Sequence, residues 1–244
     1  MARALRLWLM LAAAAAAAGL LALASGSVAT SADEVWRLLW SPDASSTAQV
    51  LHGLRLPRAM AAFGVGGLLA LAGALMQVLL RNPLADPYVL GVSGGASVGA
   101  LLALMVAGSA LAVQAGAFGG ALASIVLVFA LAQRDLSRLD TTARLDSAPR
   151  LLLTGVMLAA LWSALITVLL MLAPEAQLRG MLFWLAGDLG GSDAGVWPLV
   201  LLGAVLLLAW PLGRELNVLL RGTASAQALG VPVLRLRRIV FLLA

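Results

Sequence analysis

The stretch 57–80, PRAMAAFGVGGLLALAGALMQVLL, carries one charged residue, Arg58, and is long enough to cross the hydrocarbon core of a bilayer. Similar apolar runs recur along the 244-residue chain, of which 62% is hydrophobic and 11% charged, with a mean hydropathy of +1.02. A soluble domain of this length needs far more polar surface. The sequence therefore predicts an all-α integral membrane protein, a polytopic helical bundle.

The apolar runs on either side of this stretch predict six full membrane spans and the start of a seventh, in one transmembrane domain over 1–244. They cover about 5–24, 57–80, 87–107, 111–133, 151–173 and 196–212, and the seventh begins at about 237. The apolar residues 239–244 are too few to complete a span. The chain is therefore expected to be truncated at its C-terminus.

The first span has two interpretations. Arg3 and Arg6, the apolar run behind them and the small residues that follow also describe a cleavable signal peptide. The run is longer than a usual signal core, which favours a retained span. Beyond it, the polar loop 31–56 contains Trp36 and Trp40, which suit a membrane interface.

The arginines predict the orientation of the chain. All sixteen basic residues are Arg, and they lie mainly between apolar runs, so membrane topology explains the high pI of about 11.4 better than nucleic acid binding does. With a cytoplasmic N-terminus, the outer segments hold only Arg37, Arg55, Arg58 and Arg179. The inner segments hold Arg3, Arg6, Arg81, Arg134, Arg138, Arg144, Arg150, Arg214, Arg221, Arg235, Arg237 and Arg238.

Two of the predicted spans carry small residues at intervals of four. These are Gly91, Gly95 and Gly99 in the third span and Gly116 and Gly120 in the fourth. Because lipid tails are as apolar as Leu, helices in a membrane associate through close backbone approach, which such stripes permit. The stripes predict tight helix packing, and a pore-lining role is the alternative.

Arg55 and Arg58 are unusual among the arginines because they lie on the predicted outer side. Arg58 is expected in the first turn of the second span, where the helix dipole disfavours a cation. Two arginines three residues apart at a helix entrance are suited to receiving carboxylates from a docking protein. The alternative is that they anchor the helix at lipid headgroups.

The segment 213–232 is predicted to form two short helices between the sixth and seventh spans. The first covers 214–221 and ends at Gly222, and the second follows Thr223 and ends at Gly230. Their apolar leucines indicate a cytoplasmic surface that another subunit grips, although a simple connection between spans is the alternative.

Several kinds of chemistry are disfavoured. The chain has no Cys and no Lys, so it has neither thiolate metal ligands nor a phosphate-binding lysine loop, and we expect no cofactor and no metal. The sequence at 91–95 matches the GxSxG serine elbow, but the one histidine, His52, is predicted on the opposite side of the membrane from Ser93. The protein is therefore not expected to be an enzyme.

Beyond these patterns, the chain resembles a known family. The segments 55–58 (RLPR), 81–87 (RNPLADP) and 90–96 (LGVSGGA), with Gln77 between the first two, closely resemble FecCD-type permeases. The resemblance is weaker at 183–187 (FWLAG), at Asn217 and at 228–231 (ALGV). Such permeases are the membrane subunits of binding-protein-dependent ABC importers for iron–siderophores, haem and vitamin B12.

The resemblance implies a multi-pass permease of a bacterial inner membrane, with about ten spans when complete and acting by alternating access. It implies two cytoplasmic ATPase subunits, a periplasmic or lipoprotein binding protein and a second permease copy. It assigns docking of the binding protein to Arg55 and Arg58. It assigns coupling to the ATPase to the loop that contains Asn217, Arg221, Ala228, Leu229 and Gly230. An ion-coupled secondary transporter is the alternative, which the scarcity of ionisable residues within the spans disfavours.

Overall fold

The computed structural model describes residues 2–26, 30–86, 88, 91–137, 147–187, 189 and 195–243. Over these ranges the chain is helical and contains no β-strand, which confirms the predicted fold class. The helices are α1 (Ala2–Ala24), α2 (Ala32–Trp40), α3 (Ser46–Val50), α4 (Leu56–Leu80), α5 (Val92–Val106), α6 (Ala110–Ser137), α7 (Ser147–Leu172), α8 (Glu175–Ala186), α9 (Trp197–Ala209), α10 (Gly213–Leu220), α11 (Thr223–Ala228) and α12 (Val233–Leu243). Leu51–Arg55 forms a π-helical turn between α3 and α4, and Trp210–Leu212 a 3₁₀ turn between α9 and α10.

Five helical segments in the described ranges are long and apolar enough to cross a membrane. They are Arg3–Ala24, Ser46–Leu80, Ala110–Val128, Leu153–Leu172 and Trp197–Leu220, and α5 is a shorter apolar helix. Many of their large apolar side chains are exposed, as expected where lipid rather than water surrounds them. The protein is therefore a multi-pass membrane protein, and the number of spans stays a prediction.

The second span differs from its predicted start at Pro57. Helical structure runs without a break from Ser46 to Leu80, and Pro57 lies inside it rather than in a first turn. Proline has no amide hydrogen and its ring crowds the preceding turn, and the π-helical turn at Leu51–Arg55 widens the helix just before it. Arg58 accordingly lies in the interior of a long helix, so the expected dipole penalty does not apply to it.

The third span also begins later than its predicted start at Pro87. The α-helix starts at Val92, because Gly91 has a left-handed backbone (φ 71°) that cannot continue a right-handed helix. Before it, Asp86 accepts a hydrogen bond from the Tyr88 amide in a local turn (2.8 Å). Pro87 and Leu90 of the family motif and residues 138–146 of the charged loop lie outside the described residues.

The structure divides into two compact units, the first comprising Met1–Leu68 with Leu189–Ala204. Its buried core consists of Leu23 from α1, Val35 and Leu38 from α2, Ala48 from α3 and Leu51. In the same unit α4 approaches the start of α9 closely at Gly64, where an added Cβ would lie 2.7 Å from Pro198 Cβ. The outer loop predicted at 31–56 is thus a packed, largely helical segment.

The second unit comprises Leu69–Asp188 and Val205–Ala244, and α5 and α6 pack against each other at its centre. The two glycine stripes meet in antiparallel register, Gly95 against Gly120 and Gly99 against Gly116. An added Cβ on Gly116 would lie 2.5 Å from the Gly99 carbonyl oxygen, and one on Gly120 would collide with the Gly95 carbonyl. Any side chain at these contacts therefore pushes the two backbones apart.

A buried polar network joins α5, α6 and α7 at the end of this contact. Ser124 is fully buried, and its Oγ donates a hydrogen bond to the Gly91 carbonyl oxygen (2.8 Å). The same Oγ accepts a hydrogen bond from Trp162 Nε1 (3.0 Å). The Trp162 ring also packs against Gly94 and belongs to a core cluster with Met76 and Leu158, among others. Removing any partner leaves a buried polar atom unpaired, so the network fixes how three helices meet.

Two neighbouring glycines of α6 give a matched test of the packing. Gly120→Ala is expected to lower the free energy of unfolding by about 1–3 kcal/mol, because the new methyl group meets the Gly95 backbone. Gly119→Ala, with nothing within 4 Å of the added Cβ, is expected to be neutral or to stabilise by up to about 1 kcal/mol. Thermal unfolding in detergent measures both. Equal melting temperatures for the two variants would contradict the packing described.

Candidate docking surfaces

Arg55, predicted to dock a partner, is engaged with the end of α1 in the first unit. Its Nη1 donates hydrogen bonds to the carbonyl oxygens of Leu23 (2.8 Å) and Ala24 (3.4 Å) and to Oγ1 of Thr30 (3.0 Å). The last carbonyls of a helix have no partner within it and carry partial negative charge, which a cation stabilises. Arg55 therefore acts as a cap on the C-terminus of α1.

The local sequence makes this cap possible. The π-helical turn that ends at Arg55 shifts the register of the helix just before Pro57, and so sets where the Arg55 side chain leaves it. Gly26 leaves room for the guanidinium group, since a Cβ there would lie 2.7 Å from Arg55 Nη2. Thr30, also buried, presents its hydroxyl to the same group. Arg55 is half-buried as a result.

Arg58 lies one helical turn further on and its side chain is exposed. Both arginines line a cavity of about 360 Å³ in the first unit. The remaining lining residues are Ala22, Ser25, Gly26, Val50, Leu54, Ala59, Ala62 and Leu189. The structure thus brings the two predicted docking residues to one concave surface, with Arg58 accessible and Arg55 turned toward α1.

In the second unit, the short helices expected within 213–232 are α10 and α11. Leu219 of α10 and Ala226 of α11 are fully buried against Leu75 of α4 and against Leu236 and Val240 of α12. Since every one of these contacts is apolar, the pair is held firmly on the underlying helices. α10 and α11 form a supported surface rather than a loose connection.

Two glycines set the turns of this pair. Gly222 lies between the helices with φ 120°, and Gly230 follows α11 with φ 77°, both in the region that favours glycine. The Gly230 amide donates to the Gln227 carbonyl (2.9 Å) and the Val231 amide to the Ala226 carbonyl (2.9 Å). This pair of hydrogen bonds is the Schellman arrangement that ends many helices. Gly230 thus stops α11 and leaves Leu229 at its tip.

The residues assigned to ATPase coupling lie on the accessible side of this pair. Asn217, Arg221, Ala228, Leu229 and Gly230 are all exposed, in contrast to the buried anchors of the same two helices. Leu229 is 71% exposed. One face of α10 and α11 therefore holds the pair in place, and the other leaves the large apolar side chain of Leu229 exposed.

The polar loop predicted over 31–56 contains the helices α2 and α3, which were not predicted. Ser31 Oγ accepts a hydrogen bond from the Glu34 amide and begins α2, and Ser45 does the same for α3 through the Ala48 amide. The pattern Ser31-x-x-Glu34 is typical of a helix start and was the sequence signal for α2.

Two titratable side chains near α2 and α3 have local partners. Hydrogen bonds from Ser45 lower the pKa of Asp43 from its ordinary value. His52 Nε2 lies 2.9 Å from the Leu38 carbonyl, so this histidine has a structural partner.

Comparison with known proteins gives relatives over most of the chain. It is 39% identical over 204 residues to the cobalamin import system permease protein BtuC of Halobacterium salinarum, covering 81% of this chain and 52% of the relative. It is also 39% identical over 184 residues to the vitamin B12 import system permease protein BtuC of Escherichia coli O6:H1, covering 74% of this chain and 53% of the relative. The chain therefore spans about half the length of these curated relatives.

A solved structure shares the fold. It is assigned as a metal-chelate type ABC transporter in an inward-facing conformation, and it superimposes with a TM-score of 0.76 at 26% sequence identity, covering 98% of this chain and 72% of that one. The sequence model of the FecCD transport family matches residues 14–244. With nearly the whole chain matched and two relatives well above 30% identity, this protein belongs to the FecCD transport family.

Proposed function

We propose that the protein is the permease subunit of an ABC importer that moves a chelate of the cobalamin, iron–siderophore or haem type across the inner membrane. The family match over residues 14–244 carries the proposal. Among the three cargo types, the relatives named for cobalamin and vitamin B12 import favour cobalamin. In this proposal the N-terminus is cytoplasmic, in line with the distribution of arginines.

The mechanism proposed is alternating access driven by other subunits. A loaded binding protein docks on the outer face, and cytoplasmic ATPase subunits bind the surface formed by α10 and α11. Because that surface is anchored through Leu219 and Ala226 to α4 and α12, a displacement of α10 and α11 passes directly to longer helices. No covalent chemistry is assigned to this chain. A second permease copy completes the assembly, as the family resemblance implies.

The direct test is transport by the protein reconstituted with its ATPase and binding protein. Uptake of cobalamin, ferric siderophore and haem into proteoliposomes is compared with and without ATP. ATP-dependent uptake of one of these chelates, cobalamin first, is the expected result. Uptake that needs an ion gradient but no nucleotide would instead support an ion-coupled carrier and contradict the proposal.

Docking of the binding protein is assigned to Arg55 and Arg58, and the two arginines have different roles in it. Arg58 is exposed and lines the cavity, and an accessible arginine suits contact with a carboxylate of an incoming protein. Arg55 fixes the end of α1 beside it through hydrogen bonds to two of its carbonyl oxygens, and it holds Thr30 through a third. The geometry therefore supports contact through Arg58 on a surface that Arg55 holds in shape.

Charge reversal at the two arginines separates these parts. Arg58→Glu is expected to weaken binding-protein affinity about 10- to 100-fold while lowering the free energy of unfolding less than Arg55→Glu does, because Arg58 is the more exposed of the two. Arg55→Glu is expected to weaken docking and also to lower the free energy of unfolding by about 1.5–3 kcal/mol or more, because the α1 carbonyls lose their donor. Surface plasmon resonance and thermal unfolding measure the two effects. Unchanged affinity in Arg58→Glu would refute its assigned role.

A second variant tests the proposed ATPase surface on α10 and α11. Leu229→Glu is expected to weaken association with the ATPase about tenfold, because an exposed apolar contact is replaced by a charge. Its buried neighbours are untouched, so the melting temperature should change little. Arg58→Glu serves as the control and should bring down as much ATPase as the parent protein. Equal co-purification of the ATPase with Leu229→Glu would contradict the coupling role of α11.

A further inference from the structure

α2 presents three flanks, and the described residues of the protein bury one of them. Val35 and Leu38 are fully buried in the core of the first unit. Trp36 and Trp40, one turn apart on a second flank, are 61% and 73% exposed and contact each other edge to face at 5.9 Å between ring centroids. Asp33 and Arg37, one turn apart on a third flank, are also exposed. A helix in water has no reason to expose two indole rings side by side.

The packing of α2 fixes its depth in the membrane. Its buried flank rests on Leu23, one residue before the end of α1. The 23 residues of α1 extend about 34 Å, close to the thickness of the hydrocarbon core, so its end lies at a boundary of that core. Arg55, whose guanidinium group caps the same end, marks the same level, because a charged group avoids the hydrocarbon. α2 therefore lies at the boundary between lipid and water.

Lipid also surrounds the helix end on which α2 rests. Leu20 and Leu21 of α1, close to Leu23, are exposed, as are most large apolar side chains along that helix. In a membrane-spanning helix such side chains face acyl chains. Indole rings, apolar with one N–H donor, are enriched at headgroup level, where such a lipid-facing surface ends.

We propose that α2 is an interfacial helix whose Trp36–Trp40 flank is immersed in the lipid headgroup region, with its Asp33–Arg37 flank turned to water. The helix then anchors the end of α1 and the Arg55 cap at a fixed depth. The inference requires insertion in a bilayer and does not depend on transport. Its failure would leave the proposed importer function untouched.

The absence of native cysteine allows a clean test by spin labelling. Trp40→Cys and Arg37→Cys are each labelled with a nitroxide in the full chain reconstituted in phosphatidylcholine vesicles. The accessibility of each label to two relaxation reagents is measured: oxygen, which concentrates in lipid, and a water-soluble nickel chelate. The label at 40 is expected to be more accessible to oxygen than to the nickel chelate. The label at 37, the matched control on the adjacent flank, is expected to show the reverse order.

Two outcomes would overturn the proposal. Equal access of the nickel chelate to positions 40 and 37 would place the indole flank in water. Protection of position 40 from both reagents would mean that protein, such as a second copy, covers it.

A second measurement retains aromatic side chains. The difference in fluorescence between the parent protein and the double variant Trp36→Phe/Trp40→Phe is the contribution of these two tryptophans. Bromine quenches nearby indole rings, so lipids brominated near the headgroup should remove most of that contribution. Insensitivity of that component to those lipids would equally refute the proposal.

Discussion

Direct contact between the backbones of α5 and α6 is the constraint on which the second unit depends. Gly95 faces Gly120 and Gly99 faces Gly116 so closely that no Cβ fits between them. In water, helices are held together mainly by removal of apolar surface, a driving force that is absent between helices already solvated by acyl chains. Dispersion contacts must replace it, and they are strongest where the backbones come closest. Small residues are therefore more valuable here than large apolar ones.

The polar network at the end of this contact adds direction to the packing. Dispersion forces act along the whole helix surface and tolerate small rotations, whereas a hydrogen bond between buried groups does not. Ser124 accepts from Trp162 and donates to Gly91, so it links α6 to one residue of α7 and one of α5. Gly91 takes part because its left-handed backbone ends the preceding turn and begins α5. The Ser124 hydroxyl thus fixes the positions of α6 and α7 relative to the start of α5.

Each of the two candidate surfaces is held in place by anchoring groups, which are apolar and buried on α10 and α11 and charged and half-buried at Arg55. On α10 and α11 apolar anchors are buried and Leu229 is left exposed, so the exposed face of the pair rests on a firm base. Around Arg55 the charge itself is the anchor, because it compensates the open carbonyls at the end of α1. Half-burial of that cation is tolerated because the carbonyl dipoles replace part of its hydration. Arg58, one turn away, is exposed.

The sequence by itself determined that this protein is surrounded by lipid, and it also determined which small residues share a helix face. A run such as 57–80 with one charge admits no other environment than lipid, and glycines four residues apart lie on one helix face whatever surrounds them. The turns at Gly222 and Gly230 were predictable for a related reason, since glycine marks a local backbone conformation. The docking role expected of Arg55 and Arg58 and the coupling role expected of the loop between α9 and α12 came from the resemblance, whereas the burial or exposure of these residues came from the structure.

Tertiary structure decided what depends on residues distant in sequence. Arg55 and Arg58 are equivalent by composition and spacing, and only the position of Leu23, Ala24 and Thr30 separates a helix cap from an exposed cation. The register that pairs Gly95 with Gly120 and the meeting of Ser124 with Trp162 are likewise set by packing. The division of α2 into buried, indole and charged flanks appeared only with its neighbours in place. Local pattern fixes which face a residue occupies, but what that face meets is a property of the folded chain.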